Sequence, residues 1–156
     1  MKKLALLIML GILIVTAGAA WGRKGHPPDD GISADAERSF GEIMALWHEK
    51  NFDGLYDRTL SSGKLSRKSF AGKLAKARHR PACCWQMVQD VRVTVKSADS
   101  VVVRAKIGLE GPGDIQYRNG TFKMRRVGGV WRVSRADLIS LAGTGKKKRY
   151  TDKEQE

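Results

Sequence analysis

At Pro81 the apolar period of this chain changes from near four to two, and that switch limits the fold more than any other feature of the sequence. Upstream, Ala36, Phe40, Ile43 and Trp47 recur at helical spacing while Arg38, Glu42 and Glu49 fall on the far side. Ser33 is placed to cap this helix, and Asp35 and Glu37 lie in its first turn, where the helix dipole favours negative charge. Asn51-Phe52-Asp53-Gly54 breaks it, and Leu55, Tyr56 and Leu60 predict a short second helix ended by Ser61-Ser62-Gly63. Ser66 caps a third, with Phe70, Leu74 and Ala77 as a narrow apolar stripe and Pro81 as its stop.

Downstream, Trp85, Met87, Val91, Val93 and Val95 alternate with mostly polar neighbours. Ser97-Ala98-Asp99-Ser100 then turns the chain into Val101, Val103, Ala105, Ile107 and Leu109, which predicts a hairpin with one buried face. Gly111-Pro112-Gly113-Asp114 makes the next connection, and the run from Ile115 to Val127 pairs through Gly128-Gly129 with Val130 to Ser134. Ile115 and Tyr117 are odd-numbered but Phe122 and Met124 even-numbered, so a bulge or tight turn is expected at Asn119-Gly120. The same turn chemistry accounts for the Asn119-Gly120-Thr121 glycosylation sequon without a sugar. Helices first and a meander after them give an α+β domain over residues 34–142, with N-terminal helices packed on a curved antiparallel sheet of about four strands.

The flanks read differently. Lys2 and Lys3, the apolar run Leu4 to Val15 and Thr16-Ala17-Gly18-Ala19-Ala20 have the three parts of an export signal cut after Ala19 or Ala20. An uncleaved single-pass anchor is the competing reading, since Leu4 to Trp21 is near the minimum for a spanning helix and Arg23-Lys24 follow it; Gly11, Thr16 and Gly18 dilute the run and favour cleavage. Either way the expected location is the periplasm or cell envelope. Residues 21–33 read as a linker, and residues 143–156, with Lys146-Lys147-Lys148-Arg149, as a basic tail.

The formal charge is +13, from 29 Lys and Arg against 16 Asp and Glu, or about +11 once Lys2 and Lys3 are removed. Such a surplus points to an anionic partner, and export shifts the candidates from nucleic acid to anionic lipid, glycan or acidic protein. Between Asp57 and Asp90 there is no acid, and Lys68, Lys73, Lys76 and Arg80 surround the stripe of the third helix, a pattern shared with helices that lie on anionic membranes. A solvated face whose basic stems shield the stripe is the competing account. The outward sheet positions Arg92, Lys96, Arg104, Lys106, Arg125 and Arg132 add to the charge, so the expected contact surface is Lys68, Lys73, Lys76, Arg80, Arg104 and Lys106. Nucleic acid is disfavoured further because Trp47, Phe70, Trp85, Phe122 and Trp131 all fall on predicted apolar faces rather than among the cations.

The stretch Ala36 to Leu60, with its Lys50-Asn51-Phe52-Asp53-Gly54-Leu55-Tyr56 segment, resembles the opening of small exported domains of the nuclear-transport-factor-like superfamily. Phe122 to Val133, where Gly128-Gly129 precedes Trp131, is similar to that superfamily's closing hairpin. The resemblance implies a cone whose helices close over a concave sheet and leave a pocket, here expected near Trp47, Tyr56, Trp85 and Tyr117, and a fold that often dimerises. Ketosteroid isomerases and polyketide cyclases belong to that superfamily, so an isomerase- or cyclase-like enzyme is the alternative to a binding module. Such chemistry needs a tuned carboxylate beside a donor for the developing oxyanion. Asp57, Tyr56, His48, His79 and Tyr117 are the candidates, none matches a catalytic motif of the superfamily, and no catalytic residue is assigned.

His48 reads as a polar-edge residue beside Trp47, and His79 lies between Arg78 and Arg80, where positive charge opposes a cation. No His-x-x-x-His, Cys-x-x-Cys or acidic cluster gives metal spacing, so neither metal nor cofactor is expected. The only cysteines, Cys83 and Cys84, are adjacent, and their Cα separation of about 3.8 Å lies below the usual disulfide range. A buried thiol or an intermolecular bond is therefore favoured over a bridge between the two.

Overall fold

The computed structural model describes residues 28–60 and 65–143, so the expected signal or anchor, most of the linker and nearly all of the basic tail lie outside the described residues. In chain order the elements are α1 (Pro28–His48), α2 (Phe52–Asp57), β1 (Thr59–Leu60), α3 (Arg67–Ala75), β2 (Arg80–Pro81), a 3₁₀ turn (Cys84–Gln86), β3 (Val88–Ser97), β4 (Ser100–Glu110), β5 (Gln116–Val127), β6 (Val130–Ser134) and α4 (Arg135–Leu141). The architecture is α+β, with a curled half-barrel sheet wrapped around α1.

The sheet has six strands rather than about four, and it is not wholly antiparallel. β1 pairs in parallel with β6 at Thr59↔Val133 and Leu60↔Ser134, and β2 pairs with β4 at Arg80↔Glu110 and Pro81↔Leu109. Each is two residues long, too short to carry a period. The helices are not confined to the start either, because α4 packs Leu138, Ile139 and Leu141 into the core along the part of β5 that β6 leaves uncovered. Asp137 Oδ2 on α4 accepts the Lys123 N–H there at 3.2 Å, so the exposed strand edge is capped by a side chain.

Helix boundaries also move. α1 begins at Pro28 and Ser33 lies inside it, because proline is tolerated in a first turn and nothing later interrupts the helix. α2 spans Phe52–Asp57, capped by Asn51 whose side chain accepts the Gly54 N–H at 3.0 Å, and Leu60 belongs to β1. Ser66 caps α3 as expected, its hydroxyl accepting the Ser69 N–H.

The core lies between α1 and one sheet face. Ala36, Phe40, Ile43, Met44 and Trp47 meet the odd positions of β4, Val101 to Leu109, together with Phe122, Met124, Trp131 and Val133. Phe40 and Phe122 have ring centroids 4.8 Å apart, and Trp131 Nε1 donates to Asp35 Oδ2 at 2.8 Å, tying β6 to α1. Leu55, Phe70 and Leu74 close the helical side. The Gly128-Gly129 turn carries φ of 60° and 78°, both in the left-handed region a two-residue hairpin of this hand requires.

The expected bulge sits in a different strand. β5 pairs residue for residue with β4 from Gln116 to Arg125, and Asn119-Gly120 lies in extended strand. The slip falls in β3, where Gln89↔Lys106 is followed by Arg92↔Arg104, leaving Asp90 and Val91 opposite one residue, with φ 51° at Asp90. Beyond the bulge the odd positions Val91, Val93 and Val95 pack on the core; ahead of it the inward position is the even one, Val88 opposite Ile107. The alternation read from Trp85 to Val95 thus crosses a phase change.

Candidate functional site

The face of the sheet turned away from α1 is built by the even positions of β4 and their partners. Arg92 on β3 stands opposite Arg104 on β4, and Arg104 opposite Thr121 on β5; the next row is Gln89, Lys106 and Asn119. Arg125 opposite Arg132 extends the same face toward β6, and Lys96 extends it along β3. Two adjacent strands therefore deliver Arg92, Arg104 and Lys106 to one patch, because period-two alternation and the β3–β4 register point them the same way.

A shallow basin of about 390 Å³ lies on this patch, lined by Asp90, Arg92, Arg104, Lys106, Asn119 and Thr121 among others. Three cations face one acid there. Arg92 and Arg104 form no ion pair among the described residues, unlike Arg58 with Glu42, Arg67 with Asp57 and Arg126 with Asp99. Lys106 Nζ stands 4.6 Å from the centre of the Tyr117 ring.

Tyr117 is 40% exposed and Trp85 74% exposed, so neither faces the core. Gly108 explains how Trp85 comes to this face. It is the even position beside Lys106 and opposite Tyr117, and a β-carbon on it would collide with the Gln86 carbonyl oxygen and lie 3.2 Å from Tyr117 Cε1. The turn bearing Trp85 and Gln86 therefore folds over the outer face next to Tyr117. Both its ends are pinned to the same residue: Ala82 N–H donates to the Gly108 carbonyl at 2.8 Å, and Gly108 N–H donates to the Met87 carbonyl at 3.2 Å. Sequence reasoning missed this platform because it carried the inward phase of Val91–Val95 back through Asp90.

Cys83 and Cys84, both exposed, are bonded to each other, contrary to the expected buried thiol or intermolecular bond. Cys84 has φ 63°, a left-handed turn between adjacent residues that a regular strand does not offer.

The four residues expected to share a pocket are divided, with Trp47 and Tyr56 on the helical side of the sheet and the Trp85 turn and Tyr117 on the other. Trp47 is 1% exposed in the core and borders a cavity of about 310 Å³ with Lys50, Phe52, Leu74, Ala75, Ala77 and Arg80; Tyr56, Trp85 and Tyr117 do not line it. Tyr56 is half-buried on the helical side, with the Arg67 and Arg135 guanidinium carbons 4.7 and 4.3 Å from its ring centre. The expected basic surface is likewise divided. Phe70 and Leu74 seat α3 on the core side, so Lys68, Lys73 and Lys76 belong to the helical layer, whereas Arg104 and Lys106 lie across the sheet from it. Arg80 is paired with Glu110 at 3.0 Å.

No protein-family model matches this chain, and no curated protein matches it in sequence. Its chemistry must be read from the residues themselves.

The shifted acids lie elsewhere than the basin. The Arg67 guanidinium holds the exposed Asp57 carboxyl below the usual carboxylate range, with a smaller contribution from the charge of Arg132. Partial burial of the Asp137 carboxyl, which α4 sets against the edge of β5, pushes its pKa up. His48 Nδ1 lies 2.9 Å from the Pro81 carbonyl and serves as a tie between α1 and β2. Among the described residues no group of three or more His, Cys, Asp or Glu is placed to hold a metal ion, and no helix is long and apolar enough to cross a membrane. The outer face thus offers unpaired cations, hydrogen-bonding groups and two exposed aromatic rings, a set suited to holding an anion.

Proposed function

We propose that this chain is an exported, non-enzymatic binding or accessory domain of the cell envelope, whose outer sheet face holds an anionic partner. The observation that carries the reading is the convergence of Arg92, Arg104 and Lys106 from adjacent strands onto one basin without paired carboxylates. Unpaired cations concentrate anionic ligands and speed their encounter, and a rigid three-strand platform fixes the cations' spacing at no cost in backbone ordering. The export signal supports an envelope anion over nucleic acid, and the curled sheet around α1 is compatible with the superfamily resemblance. An isomerase- or cyclase-like pocket has less support, since its four expected residues are dispersed.

Calorimetric titration with a soluble polyanion, long-chain polyphosphate, tests the reading. Affinity falls steeply between low and physiological salt, and the triple variant Arg92→Glu, Arg104→Glu, Lys106→Glu abolishes most of it. The matched α3 variant Lys68→Glu, Lys73→Glu, Lys76→Glu leaves it largely intact. Loss of binding only in the α3 variant, or binding indifferent to salt, overturns the proposal.

A further inference from the structure

We infer that the anionic partner is a lipid bilayer surface and that Trp85 is the side chain that enters it, an inference that rests on the proposed role of the outer face.

Trp85 is the most exposed large apolar side chain among the described residues at 74%, and it stands in the short 3₁₀ turn Cys84–Gln86. An indole left in water at such a site gains most by moving to the boundary between headgroups and acyl chains, where its apolar body and N–H are both accommodated. Its neighbours match that boundary. Tyr117 flanks the turn across Gly108, Lys106 sits over the Tyr117 ring, and Arg104 and Arg92 follow within the basin. An aromatic tip followed by a band of cations is the order of groups met on leaving a bilayer of anionic lipid: acyl boundary, then phosphate.

The backbone of the turn that carries Trp85 is also held at both ends. Its ends are fastened to the two backbone groups of Gly108, and the Cys83–Cys84 bond closes a small ring next to the tryptophan. A pre-set anchor loses little conformational freedom on insertion. A soluble polyanion would need the cations but not the indole, and that difference separates the two partners. Each cation brought to an anionic surface contributes roughly fivefold in partitioning, so three of them hold the domain only weakly and an inserted indole adds to the binding.

The test uses the full chain with vesicles of phosphatidylcholine and phosphatidylglycerol carrying brominated acyl chains, against vesicles of phosphatidylcholine alone. Brominated chains quench tryptophan emission only at close range, and the signal of residue 85 is the difference between the wild type and Trp85→Phe. With lipid raised until sedimentation shows both proteins fully bound, signals from other tryptophans, including Trp21, cancel in that difference, so an N-terminal segment held in the bilayer cannot mimic the effect. The expected result is quenching of the Trp85 component in vesicles with phosphatidylglycerol. It is lost in phosphatidylcholine alone and in the Arg92→Glu, Arg104→Glu, Lys106→Glu variant. Polyphosphate binding that depends on the three cations, together with an unquenched Trp85, overturns the bilayer inference and leaves the anionic-partner reading standing. Neither polyphosphate binding nor Trp85 quenching depending on those cations overturns both.

Discussion

The Gln86 carbonyl oxygen occupies the space a β-carbon on Gly108 would need, and this one contact sets the turn carrying Trp85 onto the outer face of the sheet. The obstacle is backbone on both sides, so neither partner can move without disturbing the ladder. Gly108→Ala is expected to destabilise the domain by about 1–3 kcal/mol, as overpacking does, and to change Trp85 emission. Chemical denaturation and fluorescence check it, and an alanine variant with unchanged stability and spectrum contradicts the contact.

Arg135 is a charged residue 4% exposed, held by a hydroxyl, a carbonyl and a ring face. Its Nε donates to Thr59 Oγ1 at 3.0 Å, one Nη donates to the Leu65 carbonyl at 2.8 Å, and the guanidinium lies over Tyr56. It ties α4 to β1 and to the segment entering α3. Arg135→Ala removes these bonds, while the Leu65 carbonyl keeps the Tyr56 hydroxyl and the Thr59 hydroxyl keeps the Tyr56 carbonyl, for a loss of about 1–3 kcal/mol. Arg135→Lys cannot reproduce the planar fork and is expected to recover only part of the loss in urea denaturation.

Asp137 gives a signed dependence on pH. Burial raises its folded-state pKa, which means the folded protein keeps the proton after the unfolded chain has released it. The folded state then binds more protons, and stability falls as pH rises from the ordinary carboxylate range through the raised native value. Asp137→Asn keeps an acceptor for the Lys123 N–H and removes the ionisation, so its stability in that window is expected to be flatter than the wild type's. A wild-type curve that rises specifically through the Asp137 transition, followed by NMR of its side chain, contradicts the assignment.

The bond between Cys83 and Cys84 lies within one chain. Intact-mass measurement is expected to show the folded protein two hydrogens lighter than its reduced form, with the same gel mobility with and without reductant. A reductant-sensitive dimer contradicts the pairing.

Much of the scaffold was legible in the sequence. The apolar stripe of α1, the Ser66 cap, the turn at Ser97–Ser100 and the Gly128-Gly129 hairpin all follow from local chemistry, and all are present. Two-residue strands were not legible, because their pairing is decided by partners far along the chain. The candidate site was half legible. Alternation alone puts Arg92, Arg104 and Lys106 on one face, but the direction of Trp85 and Tyr117 depended on where the phase slips. That slip is at Asp90, whose left-handed φ has no signal as strong as Asn-Gly, whereas the parity change across Asn119-Gly120 that predicts a bulge there comes from Tyr117 facing outward in a regular strand. Adjacent cysteines were misread for a different reason: their Cα separation, 3.7 Å, does lie below the usual disulfide range, and the bridge forms all the same with Cys84 at a left-handed φ of 63°.

In the proposed function the outer sheet face, and not α3, holds the anion. Lysine acylation followed by mass spectrometry reads both surfaces in one experiment, since Lys106 reports the sheet face and Lys68, Lys73 and Lys76 report the helix. With saturating polyphosphate, the account predicts strong protection of Lys106 and little change at the three helix lysines. Protection confined to Lys68, Lys73 and Lys76, with Lys106 modified as fast as in the free protein, would contradict it.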